Sequence, residues 1–168
     1  MDEYFDALGL LAYQVQRFYP KSFKQRRPDS NGGLIYNLNG VVSFPYLLPQ
    51  MLSRPDETIY IVEGEQCADA MVNRGFLATT NSGGAGNWRP ALNHYFLGRD
   101  VVILPDNDDA GRSHARKVSK QLFGPARTIK NLELHDLPLS GGIVDWLTGG
   151  NAPDNLVRLA SESPTHGA

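Results

Sequence analysis

Cysteine occurs once in the chain, at Cys67, and the four histidines are scattered. That excludes a disulfide framework and a zinc ribbon built from these residues, and a reducing, cytoplasmic setting is the expectation. Long apolar runs are missing as well: nothing approaches the length of a membrane span, and Met1-Asp2-Glu3 lacks the basic start of a signal peptide. Neither sign of charge dominates, with 16 Lys and Arg against 18 Asp and Glu for a net charge of −2. A nucleic-acid partner therefore has no global attraction to rely on and must be met by local patches. There is no phosphate-binding Gly-Lys-Thr/Ser loop, which excludes an NTP-driven motor of that type built from these residues. With 168 residues, 41% of them hydrophobic and 20% charged, what is left is an ordinary globular composition able to bury one substantial core.

The first third reads as antiparallel β. Leu11, Tyr13 and Val15 alternate with Ala12, Gln14 and Gln16, the period-2 pattern of a half-buried strand. Lys21, Lys24, Arg26 and Arg27 then cluster around Phe23, which suits either an edge that contacts phosphates or a solvated loop. After a turn-rich segment over 28–33, residues 34–38 and 41–44 flank Asn39-Gly40, a dipeptide that tolerates positive φ and predicts a hairpin turn. A short helix is expected over 46–52, with Pro55-Asp56 as connector.

From Thr58 onward strands and helices alternate. Strands are expected over 59–62, 77–80, 100–104 and 127–134, and helices over 65–74, 90–97 and 110–123, with short helices over 144–147 and 154–160. Repeated βα order predicts an α/β fold with a parallel sheet covered on both faces. The expected organisation is a small β-rich subdomain over 1–55, an α/β domain over 56–160 and a flexible polar tail over 161–168.

Glu63 follows Ile61-Val62 directly, as Asp106 follows Ile103-Leu104-Pro105, so both acids leave strands at the same end of a parallel sheet. If those strands are neighbours, Glu63, Asp106 and Asp108 converge. Clustered carboxylates repel unless a cation neutralises them, which predicts Mg²⁺ or Mn²⁺, and two such ions can clamp a phosphoryl transfer. The same acids equally suit a helix start, Asp108 or Asp109 capping the helix that follows. On that helix Arg112, Arg116 and Lys120 form a basic stripe for a triphosphate or a template backbone, or a merely solvated face. Gly83 and Gly84 let backbone approach a phosphate, or simply make a tight connection. Trp88 is either a surface for a base to stack on or a core plug, and His114 is expected on the helix surface.

Together, Ile61-Val62-Glu63-Gly64-Glu65, the loop from Thr79 to Trp88 and the turn from Ile103 to Gly111 resemble a Toprim domain of the kind found in phage and mobile-element DNA primases. Residues 23–33 resemble the segment preceding Toprim in those primases, and the similarity spans about residues 8–150. The resemblance implies four parallel strands flanked by helices, with Glu63 as the catalytic glutamate, in metal binding or in proton transfer, and Asp106 and Asp108 as ligands of Mg²⁺. The implied reaction is attack of a 3′-hydroxyl on the α-phosphate of a nucleoside triphosphate paired to single-stranded DNA. A replicative helicase or further domains would come from elsewhere.

Two positions depart from the family pattern. Cys67 stands where many relatives have an acid, with Asp69 two residues on, and Gly142 stands where relatives have the first aspartate of Gly-Asp-x-x-Asp-Trp-Leu, leaving Asp145. Asp69 or Asp145 would then have to complete the shell. The open alternatives are a Toprim nuclease, in which the acids activate water, and a non-catalytic nucleic-acid or nucleotide-binding module.

Overall fold

The computed structural model describes residues 1–20 and 22–165; Lys21, one of the cations singled out above, lies outside them. Two four-stranded sheets organise the chain. The first is antiparallel in the order β1-β2-β3-β4, formed by Asp2–Phe5, Leu11–Phe18, Ser22–Pro28 and Leu34–Ile35. The second is wholly parallel in the order β6-β5-β7-β8, formed by Ile59–Ile61 (β5), Leu77–Thr79 (β6), Asp100–Ile103 (β7) and Thr128–Asn131 (β8). This is the α/β architecture that the alternating second half predicts.

Strand pleating sorts the core into two layers. Tyr60, Val62, Ala78 and Val102 face one way and pack with α2 (Glu65–Val72), α4 (Ile143–Thr148) and α5 (Pro153–Glu162) through Ala68, Met71, Trp146 and Leu156. Ile59, Ile61, Val101 and Ile103 face the other way, onto α1 (Leu48–Ser53), a 3₁₀ helix over Pro90–Phe96 and α3 (Asp109–Leu122). Strands buried on both faces read as apolar runs, which is why the sequence marks this sheet clearly. Tyr4, Tyr13, Val15 and Tyr46 join the first layer, so the antiparallel sheet and the parallel sheet share one apolar cluster.

Several expectations need correction. Residues 41–44 do not pair with 34–38. Asn39-Gly40 does turn, with Gly40 at φ +75° and the Val41 N–H donating to the Leu38 carbonyl at 3.0 Å, but β4 pairs with β3 instead. The chain is drawn off because Leu38, Val41 and Phe44 pack into the shared cluster, and Tyr46 is tied to β6 by its N–H to the Thr80 carbonyl and by the Thr79 hydroxyl. Basic residues 24, 26 and 27 lie on a strand rather than a loop, and β1 has no counterpart in the sequence reading because four residues carry too little alternation. At the other end α5 takes in Ser161 and Glu162 from the expected tail, held by Lys130 bonding the Ala160 and Ser161 carbonyls and by the Arg158–Glu162 pair.

Candidate active site

Glu63 and Asp106 emerge from β5 and β7, which are adjacent and in register at Ile61↔Ile103. The Asp106 N–H points at Glu63 Oε1 across 3.4 Å. Two glycines make room for these acids. A Cβ at Gly111 would stand 2.6 Å from both the Asp106 carbonyl and Glu63 Oε1, and one at Gly142 would stand 2.2 Å from Asp106 Oδ1. The first lets α3 start hard against both acids. The second leaves the space that the Asp106 carboxylate occupies.

The electrostatics follow from that crowding. Burial, then the charges of Glu63, Asp108 and Asp145, push the Asp106 carboxyl up to about 7. Glu63 is also raised, mainly by burial and further by Asp108, with the Asp106 N–H opposing. Asp108 goes the other way because it caps α3: its Oδ1 accepts the Gly111 N–H at 2.8 Å, and that bond holds its carboxyl low. Both readings of the acidic turn therefore meet at Asp108, which caps the helix while adding charge to the cluster. Asn107 fixes the turn from outside, donating through Nδ2 to the Leu137 carbonyl at 2.9 Å and through its N–H to the Gly141 carbonyl at 2.8 Å.

Of the outer candidates, Asp145 belongs near this group and Asp69 does not. Asp145 accepts the Gly142 N–H at 2.9 Å and contributes to the shift at Asp106. Asp69 is engaged by the Tyr46 hydroxyl at 3.1 Å. Cys67 sits beside the acids, and burial together with Asp106, Asp145 and Glu63 pushes its thiol up to about 11. It is a neutral thiol at physiological pH.

Among the described residues, no three His, Cys, Asp or Glu side chains are close enough together to hold a metal ion. The chemistry of the donor set nevertheless suits a hard divalent cation. Glu63, Asp106 and Asp108 offer only carboxylate oxygens, and the upward shift at Asp106 comes first from burial and then from neighbouring carboxylate charge, both of which a bound cation offsets.

The remaining candidates divide. Arg112 contacts Asn107 Oδ1 and pairs with Asp109, whereas Arg116 and Lys120 lie exposed further along α3. Trp88 is not a stacking surface: it is 4% exposed, packs on Phe96 and donates to Asn93. His114 is not on the surface either; it is 5% exposed, and its Nδ1 accepts the Gly86 N–H at 2.9 Å. The pairing of β2 and β3 puts Lys24 and Arg26 on one face, beside Phe18 and Tyr36, while Arg27 lies on the other with Phe23 and Arg17.

That opposite face borders a cleft of about 450 Å³ between the antiparallel sheet and the glycine loop, lined among others by Arg17, Phe23, Glu65, Gly83, Gly84 and Arg89. Arg17, Glu65 and Arg89 were not marked by the sequence. Only the cross-strand pairing of Arg17 with Phe23 and the left-handed Gly64, φ +84°, which starts α2 immediately after Glu63, bring them to one cavity.

A Toprim-like α/β domain preceded by a small antiparallel sheet is the class this arrangement defines, and the comparisons agree. No protein-family model matches the chain, and no curated protein matches it. Solved structures do. The Aquifex aeolicus primase, zinc binding and RNA polymerase domains, is similar with a TM-score of 0.70 at 17% identity, over 97% of this chain and 40% of that one. A DnaG primase catalytic domain bound to ssDNA gives 0.63 at 15% identity, over 97% and 51%. A structure of the bacteriophage T7 lagging-strand DNA polymerase interacting with primase domains of two gp4 subunits, bound to an RNA/DNA hybrid and dTTP, gives 0.62 at 16% identity, over 98% and 77%. The fold is that of the DnaG-type primase catalytic domain. The chain spans 40% of the length of the Aquifex aeolicus chain.

Proposed function

We propose that the chain is a primase-type nucleotidyltransferase core, of phage or mobile-element kind, that makes short primers on single-stranded DNA from nucleoside triphosphates during DNA replication. The observation that carries this is the placement of Glu63 and Asp106 at the carboxyl ends of adjacent parallel strands, where burial and then neighbouring acids push the Asp106 carboxyl up to about 7, within a primase fold. Glu63 either ligates the metal or accepts the proton of the attacking 3′-hydroxyl at its carboxylate, while Asp106 and Asp108 bind on the metal side of the site. Bound Mg²⁺ or Mn²⁺, expected as two ions held by Glu63, Asp106 and Asp108, with Asp145 rather than Asp69 completing the shell, would offset charge on the triphosphate and the departing pyrophosphate. Residues 1–55 and 56–160 act as a template-facing subdomain and a catalytic domain, and a replicative helicase is the expected partner.

The test is primer synthesis by the purified chain with single-stranded template, Mg²⁺ or Mn²⁺ and labelled nucleotides. Short products are expected, reduced on the order of a hundredfold or more in Asp106→Ala and Asp108→Ala. No product from the wild type, or undiminished product from both variants, overturns the reading. Metal-dependent cleavage of nucleic acid without nucleotides would replace it with a nuclease.

A further inference from the structure

Glu65 is 6% exposed and yet lines the 450 Å³ cleft. Its one side-chain hydrogen bond among the described residues comes from the Tyr4 hydroxyl, 2.8 Å from Oε1, and none of their ion pairs includes it. A carboxylate has about four accepting sites, and acids this buried are almost always paired. Here one bond is made among the described residues, and the residue borders the cleft.

The rest of the cavity has the opposite character. Arg17, which donates to Gln66 Oε1 at 3.0 Å, and Arg89 are exposed at its mouth, and guanidinium groups, with five N–H donors each, favour phosphate. The Phe23 ring is half exposed and the Arg17 guanidinium lies over it, 5.4 Å from its centroid, so planar ring and planar cation together form one wall on which a base can stack. Opposite it run Gly83 and Gly84, both at positive φ and without side chains to block an approach. A ligand that satisfies all of these carries an anion at one end, a planar ring in the middle and N–H donors at the other. The volume lies in the range of small-molecule sites.

We infer that this cleft holds one nucleotide, its phosphate on Arg17 and Arg89 and its base on Phe23, and that Glu65 selects guanine. Among the bases, guanine alone presents two adjacent N–H donors, N1–H and the 2-amino group, in parallel toward a carboxylate. Adenine and cytosine place a ring acceptor next to their amino group, and uracil and thymine flank their single N–H with carbonyls. The Tyr4 bond holds Glu65 in place from the antiparallel sheet, so Glu65 is a specificity-determining residue distinct from the reacting acids. The inference rests on the primase-type reading for the ligand class. The nucleotide is either free or part of a template strand.

Two binding assays on the full chain, without catalysis, separate these sources. Calorimetry compares GTP, ITP, ATP, CTP and UTP, and fluorescence anisotropy compares oligo-dA with and without one internal dG. The expected result is a guanine preference of about tenfold over adenine in one arm, identifying the source, with ITP intermediate in the free-nucleotide case. Glu65→Gln brings the preference below about threefold, and Arg89→Ala weakens all bases alike. Tyr4→Phe, which keeps the carboxylate but removes the bond that positions it, lowers the preference without abolishing it. No guanine preference in either arm overturns the inference, as does a Glu65→Gln variant as selective as the wild type. The wild-type comparison of GTP with ITP stands even if Glu65→Gln does not fold. Guanine preference without primer synthesis removes the primase reading and leaves this one, and synthesis without base preference does the reverse.

Discussion

The N–H of Gly86 donates to Nδ1 of His114 across 2.9 Å, and Lys117, one turn along α3, donates from Nζ to the carbonyl of the same glycine. One residue of the glycine loop is thus held through both its N–H and its carbonyl by a helix that begins at the acidic turn. The loop forms a wall of the cleft, so the helix that Asp108 starts also sets the position of Gly83 and Gly84.

This grip should be pH-dependent. Burial and Lys117 lower the His114 pKa from its ordinary value. The fold therefore favours the neutral ring, and the contribution is complete above the unfolded pKa of about 6.5 and lost as pH falls through the lower folded value. Hydrogen-exchange protection at Gly86 should decline as the solution is acidified. His114→Asn, whose Oδ1 accepts without titrating, should keep protection at low pH. His114→Ala should lose it at every pH and cost about 1–2 kcal/mol, several degrees in Tm. Protection that is unchanged in His114→Ala would rule out the grip.

The acid cluster should have the opposite sign. Glu63 and Asp106 are both raised, so their contribution is present at low pH and lost as pH rises from the ordinary carboxylate range through about 7 at Asp106. Without divalent cations, Asp106→Asn should melt higher than the wild type at alkaline pH, with little difference near pH ~4. Mg²⁺ should raise the wild-type Tm there, by about 2.7 kcal/mol of stabilisation at a hundred times its Kd, and raise that of Asp106→Asn much less. A wild-type Tm indifferent to both pH and Mg²⁺ would show that the carboxylates do not repel.

What the sequence made legible was decided by how local the signal is. The strands ending at Ile61 and Ile103 are buried on both faces and are followed directly by Glu63 and Asp106, so element, direction and acid could be read together. His114 lies on a helix face whose neighbour is a loop 28 positions earlier, and no period within α3 distinguishes it from a surface residue. Glu65 looks like an ordinary first-turn acid until Tyr4, 61 residues away, closes over it. Val41 and Phe44 have strand composition, but burial between the two sheets competed with ladder pairing and won.

Gly142 offers a more local test. A methyl at this position would come within 2.2 Å of Asp106 Oδ1, and the carboxylate, as the free end of a side chain, would turn away. Gly142→Ala should therefore fold with a stability change within about 1 kcal/mol, while primer synthesis drops about tenfold or more because the acid has lost its position. Full activity in Gly142→Ala would show that the Asp106 orientation seen here is not the working one.

Asp108 separates structure from chemistry within one side chain. Its Oδ1 accepts the Gly111 N–H at 2.8 Å, the work of an N-cap. Its charge, by contrast, adds to the crowding at Asp106 and Glu63. Asn caps helices about as well as Asp, whereas Ala costs about 1 kcal/mol. Asp108→Asn should consequently melt within about 0.5 kcal/mol of the wild type, measured by thermal unfolding. Asp108→Ala should fall about 1 kcal/mol below both. In the primer assay the ordering differs, since both variants lack the charge and both should be inactive. If Asp108→Asn kept its stability and also its activity, Asp108 would be a helix cap alone, and the metal side of the site would have to be built from Glu63, Asp106 and Asp145.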